Sequence, residues 1–150
     1  MEIKVRILIA DDHSAIKSGI KHTLWGEFPC LEFDEALDPD DIFQKLHDSV
    51  WDMLIFDIDL PGKNGLEVLR QINQQGLNIP VLVFSNLRED QFALSALNAG
   101  ASGYLSKENA ATDLLIAVKQ VLSGCPYISA YVCRQLDDLY APIPVADPYL

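Results

Sequence analysis

Five times along this chain, a short run of apolar, mostly branched residues is followed by a longer stretch with apolar positions at helical spacing. The clearest runs are Val5–Ala10 (VRILIA), Asp52–Phe56 (DMLIF) and Val81–Phe84 (VLVF). Leu31–Leu37 and Ser102–Leu105 are weaker. Successive apolar positions lack the alternation of a half-exposed strand, so these runs predict strands buried on both faces, as in a parallel sheet. Between them, Ile16, Ile20 and Leu24 mark one helix face, and Ile42, Phe43, Leu46 and Val50 a second. Leu66, Leu69 and Ile72, then Phe92, Ala96 and Leu97, then Leu114, Val118, Val121 and Leu122 mark three more. Asp38-Pro39 suits a helix start, and Gly76, Gly100 and Gly124 suit helix ends. Five βα units joined by right-handed crossovers predict a doubly wound α/β sandwich with helices on both faces.

The 150 residues are enough for one domain with a proper core. No apolar run approaches the length of a membrane span. The opening MEIKVRILIA lacks the basic region and cleavage site of a secretory signal, so the expected compartment is the cytoplasm. Three cysteines, Cys30, Cys125 and Cys133, without paired spacing predict reduced thiols, with Cys133 packing as a small apolar residue. A net charge of −11 opposes direct binding to a phosphate backbone, whereas clustered acids can attract a divalent cation.

After Gly124 the pattern changes. Ser129–Tyr140 predicts a short sixth helix capped by Ser129, and APIPVADPYL, with three prolines in ten residues, reads as a linker or tail. The expected division is residues 1–124 as the main domain and 125–150 as a short helix and proline-rich segment.

In open α/β sheets ligands bind beyond the carboxyl ends of the strands. The first strand ends in Asp11-Asp12, the third in Asp57, the fourth in Ser85, and Lys107 follows the fifth. Hard oxygen ligands suit Mg²⁺ (or Mn²⁺), and Asp11 and Asp12 are placed to hold it. Given a phosphodonor, a carboxylate can act as nucleophile and form an acyl phosphate. A metal and a lysine would neutralise charge on the transferred group. Taken singly, each residue has an ordinary explanation: Asp57 as a cap, Ser85 as a turn residue, Lys107 as a solvated lysine, Tyr104 as a half-buried packing aromatic. A loop histidine such as His13, without histidine or cysteine partners, is set aside as ligand or phosphocarrier.

The stretches ILIADDH, LIFDIDLPGKNGLEVL, VLVFSN and AGASGYLSKE, in this order and each at a strand end, resemble the receiver domain of two-component response regulators over roughly Val5–Gly124. The resemblance implies a flavodoxin-like (βα)5 fold with strand order 2-1-3-4-5. It implies Asp57 as phosphoacceptor, with Asp11, Asp12 and Asp57 as metal ligands completed by the backbone carbonyl of Asp59. Ser85 and Lys107 then contact the phosphoryl group, and Ser85 and Tyr104 form the switch. The implied partners are a sensor histidine kinase and, on phosphorylation, a second copy of the chain. DDH and GYLSK are similar to the NarL/FixJ (LuxR-type) subgroup, in which a helix-turn-helix DNA-binding domain follows the receiver. DNA contact is therefore expected only through such a C-terminal domain, absent here. Asn86, bulkier than usual after the hydroxyl residue, and the Asp59 side chain are expected to modulate phosphoryl lifetime.

Two rivals share some features. FDIDL superficially fits the DxD of haloacid-dehalogenase-type phosphatases, but Pro61 and the order of the acids do not. A degenerate receiver would keep the acids and serve only as an interaction module. The reading preferred is a phosphoacceptor switch rather than a turnover enzyme.

Overall fold

The computed structural model describes residues 4–59 and 64–140. Strands β1 (Val5–Ala10), β2 (Leu31–Ala36), β3 (Met53–Phe56), β4 (Val81–Ser85) and β5 (Gly103–Ser106) form one parallel sheet in the order β2-β1-β3-β4-β5. Helices α1 (Ser14–Trp25), α2 (Pro39–Asp48), α3 (Gly65–Gln74), α4 (Glu89–Asn98) and α5 (Ala110–Leu122) connect and follow the strands, and α6 (Ala130–Tyr140) closes the described chain. This is the flavodoxin-like sandwich expected from the sequence.

Burial explains why the strand sequences do not alternate. Leu8, Ala10, Leu54, Phe56, Val81, Val83 and Tyr104 pack into one core with residues of α2, α3 and α4. Ile7, Ile9, Met53, Ile55, Leu82, Phe84 and Leu105 face the other side, against α1 and α5. Each fully buried large side chain contributes roughly 1.5–3 kcal/mol of transfer free energy, which fixes strand register as well as stability.

Local signals act as anticipated. The Asp38 side chain accepts from the Asp41 N–H at 2.8 Å and caps α2, with Pro39 in the first turn. Gly100 ends α4 at φ 113°, a conformation that favours glycine. Ser129 Oγ accepts from the Val132 N–H at 3.2 Å and caps α6.

Several expectations are corrected. β3 begins at Met53, because Asp52 instead exchanges hydrogen bonds with Arg6: its side chain accepts the Arg6 N–H, and its own N–H reaches the Arg6 carbonyl, both at 2.8 Å. β4 runs one residue further, to Ser85, where it pairs with Ser106. Val50 is 83% exposed, because α2 stops at Asp48 and extended backbone at Ser49 takes Val50 out of the helical stripe. Cys133 is exposed, because α6 turns Val132 and Leu136, one helical turn apart, toward the core. The Pro61-Gly62 turn and the proline-rich stretch 141–150 lie outside the described residues.

Candidate functional site

The β1–β3 pairing brings the acids together. Ala10 lies opposite Phe56, and the Asp57 N–H continues the ladder by donating to the Ala10 carbonyl at 3.0 Å. Asp11 and Asp57 are therefore neighbours at the carboxyl edge of the sheet, and both are buried at 2% exposure. Their close approach is made tolerable by Lys107, which leaves β5 in a single 3-10 turn (Lys107–Asn109). Its ammonium lies 2.8 Å from Asp57 Oδ2 and 2.8 Å from Asp11 Oδ2, and its side chain is only 4% exposed. Burial is the largest influence on Lys107 and would lower its pKa. The carboxylates of Asp11 and Asp57 outweigh it and hold the ammonium above the ordinary lysine range.

The remaining oxygens are held by short backbone turns. Asp57 Oδ1 accepts from the Asp59 N–H at 2.9 Å, and Asp11 Oδ1 accepts from the His13 N–H at 2.8 Å. Asp11 Oδ2, though beside the ammonium, has no donor aligned on it. Two buried carboxylates thus share one ammonium, with the half-exposed Asp12 beside them. An under-satisfied buried oxygen in an acid-rich cluster fits a hard divalent cation that binds oxygen. Ligand atoms of Asp11, Asp12, His13 and Asp57 lie within 4.8 Å of one another.

His13 is the residue that sequence reasoning set aside. Its Nδ1 lies 3.0 Å from Asp11 Oδ1 and 3.2 Å from Asp12 Oδ1. The clue was its position two residues after Asp11, where an Asx-type turn folds the chain back on the carboxylate.

Ser85 and Tyr104 meet through a third residue. Ser85 is fully buried, and its Oγ accepts from the Leu87 N–H at 3.1 Å. Tyr104, 1% exposed rather than half-buried, donates its hydroxyl to the Leu87 carbonyl at 2.7 Å. Leu87, in the β4–α4 loop, is held at both ends of its peptide frame, and the tyrosine is in its inward position. Asn86 and Asp59 are exposed. Neither tryptophan adjoins the acids. Trp25 ends α1, roughly 17 Å along the axis from its first turn. Trp51 precedes β3, at the opposite end from Asp57, and stacks under Arg6 at 4.4 Å.

Gly65 sets how closely α3 approaches Ile58. A Cβ there would collide with the backbone of Ile58, so only glycine lets the start of α3 sit against the residue between Asp57 and Asp59. Asn64 caps that helix, its side chain accepting from the Glu67 N–H at 3.3 Å.

Residues 7–119 match the response regulator receiver domain. The chain belongs to this family. As a receiver domain it is a component of two-component signalling. Among its relatives, the transcriptional activator protein ExaE of Pseudomonas putida is 38% identical over 130 residues, covering 87% of this chain and 61% of the relative. The transcriptional regulatory protein DegU of Brevibacillus brevis is 35% identical over 141 residues, covering 90% and 57%. The chain thus spans about three fifths of the length of these curated relatives. The crystal structure of a LuxR-family two-component response regulator from Aurantimonas sp. SI85-9A1 aligns over 93% of this chain and all of that one, with a TM-score of 0.79 and 28% identity.

Proposed function

We propose that this receiver is a Mg²⁺-dependent phosphoacceptor switch with Asp57 as its acceptor. The observation that carries the proposal is the bridging of the buried Asp57 and Asp11 carboxylates by the Lys107 ammonium at 2.8 Å to each. An Asp57 carboxylate oxygen attacks phosphorus. An acyl–phosphate P–O bond forms, the P–N bond of a kinase phosphohistidine breaks, and the imidazole leaves. Asp11, Asp12, Asp57 and the Asp59 backbone carbonyl would hold Mg²⁺ (or Mn²⁺), which supplies charge neutralisation to the incoming phosphoryl oxygens. Lys107 pairs with one of those oxygens on exchange from Asp57 Oδ2. Ser85 can donate its hydroxyl proton to another while its Oγ still accepts from Leu87. Through Leu87, the state of Ser85 then biases Tyr104.

The phosphodonor is a sensor histidine kinase. Phosphorylation favours pairing with a second copy, and residues 125–150 lead from the phosphoacceptor domain (1–124) toward a LuxR-type DNA-binding output. Support for a transcriptional output comes from the names of the relatives, an activator and a regulatory protein. Titration with Mg²⁺ and beryllofluoride tests the metal and phosphoryl subsites together. One beryllofluoride per chain is expected, bound only with Mg²⁺, and Asp12→Ala should weaken Mg²⁺ at least tenfold. Undiminished Mg²⁺ affinity in that variant would exclude the acid pair as ligands.

A further inference from the structure

We infer that the chain's own C-terminal segment, Tyr127–Leu136, is a ligand of the α4–β5 face whose docking is coupled to the phosphoacceptor site through Tyr104. β5 is the last strand of the sheet, and its open edge is filled by Tyr127. The Tyr104 N–H donates to the Tyr127 carbonyl at 3.0 Å, and the Tyr127 N–H donates to the Ser102 carbonyl at 3.1 Å. Gly103 makes the approach possible, because a Cβ there would stand 2.9 Å from the Tyr127 carbonyl oxygen. Beyond this bridge, α6 lies against α4. Val132 is fully buried in the same core as Tyr104, Ala93 and Ala96, flanked by Ile128 and Leu136.

The same tyrosine therefore has two attachments: its hydroxyl to Leu87 and its backbone N–H to Tyr127. Rotation of its ring out of the core would remove it from the cluster it shares with Val132, Ile128 and Leu136. The buried Tyr104 ring and docked α6 therefore support one another through one core. At the other end, a phosphoryl group that takes the Ser85 proton fixes the hydroxyl that holds Leu87. A hydroxyl that donates is a better acceptor, so the Leu87 N–H bond to Ser85 Oγ strengthens and holds the Leu87 carbonyl where the Tyr104 hydroxyl meets it. Phosphorylation then tightens the docking of α6, and docking in turn favours the phosphorylated state by the same factor. This second half rests on the phosphoacceptor reading; the packing link between Tyr104 and α6 does not.

Amide hydrogen exchange on the 150-residue chain, with Mg²⁺ alone and with Mg²⁺ and beryllofluoride, tests the coupling. Protection of residues 127–136 should rise by about fivefold or more, the lower end of ordinary coupling, while β2 stays unchanged. Bound beryllofluoride with unchanged or reduced protection there overturns the inference. Reciprocally, Val132→Asp, which expels α6, should lower beryllofluoride affinity by a similar factor. Val132→Ala should lower it in the same direction if the aspartate variant does not fold. Unchanged affinity in a folded variant with α6 released also overturns the inference. A parent chain that binds no beryllofluoride fails the phosphoacceptor reading instead. The packing link is then read from the Leu87 amide, whose exchange rises in the Val132 variants if the link exists and stays at the parent value if it does not.

Discussion

The carboxyl end of the sheet and its β2 edge use the same side chains to opposite ends. Along β2, cations match or outnumber the acids they serve. Glu32 pairs with Lys4 and Arg6, both at 2.9 Å, and Glu35 with Lys21 at 2.9 Å and Lys17 at 3.6 Å. Asp34 pairs with Lys45 at 3.2 Å, while the Lys45 ammonium also donates to the Glu35 carbonyl. These acids are well hydrated. At the carboxyl end, Asp11 and Asp57 are buried and, among the described lysines and arginines, share the ammonium of Lys107. Hydrated pairs along an edge strand discourage unwanted strand pairing at little energetic consequence. A buried excess of negative charge is unfavourable for folding, and persists where a cation or phosphoryl chemistry makes use of it.

Removing a cation from each region separates them most sharply. Lys107→Met leaves two buried carboxylates without their counter-ion, and should destabilise the chain by about 3–5 kcal/mol in urea unfolding without divalent ions. Added Mg²⁺ should restore part of that loss. A loss no larger than that of a surface lysine would erase the distinction between the two regions.

Gly65→Ala comes next. The new methyl meets the Ile58 backbone, and overpacking of this kind costs about 1–3 kcal/mol. Because Ile58 separates Asp57 from Asp59, Mg²⁺ affinity should fall as well, while exchange protection along β2 is unaffected. A variant with lowered stability and unaltered Mg²⁺ affinity would detach the loop from the cluster.

The smallest effect belongs to the edge. Glu35→Gln should cost about 0.5 kcal/mol, and less at high salt. The Lys21 hydrogen bond is the largest influence on Glu35, and it outweighs burial to hold the carboxyl below the ordinary glutamate range. A lowered folded-state value means that the contribution is complete above the unfolded glutamate pKa, about 4.3, and is lost as pH falls through the folded value. Parent and variant should therefore differ at pH 6 and converge in acid. A difference that persists at pH 2 would point to packing instead.

The same contrast explains what was legible in the sequence. Strands such as VRILIA and VLVF announce themselves because burial on both faces leaves no polar position, and strand ends then locate Asp11, Asp57, Ser85 and Lys107. Val50 and Cys133 misled, since apolar spacing does not show where a helix stops or which of two adjacent residues turns inward. The His13 contacts, the two-ended hold on Leu87 and the collision behind Gly65 depend on loop backbone geometry. No periodicity encodes those.

Intact-mass analysis after incubation with acetyl phosphate, with and without Mg²⁺, tests the central claim most directly. One acid-stable, base-labile phosphoryl group per chain is expected, dependent on Mg²⁺, and absent from Asp57→Asn. Equal labelling of that variant, or labelling of the parent without any divalent ion, would contradict the assignment of the buried cluster as a metal-assisted phosphoacceptor.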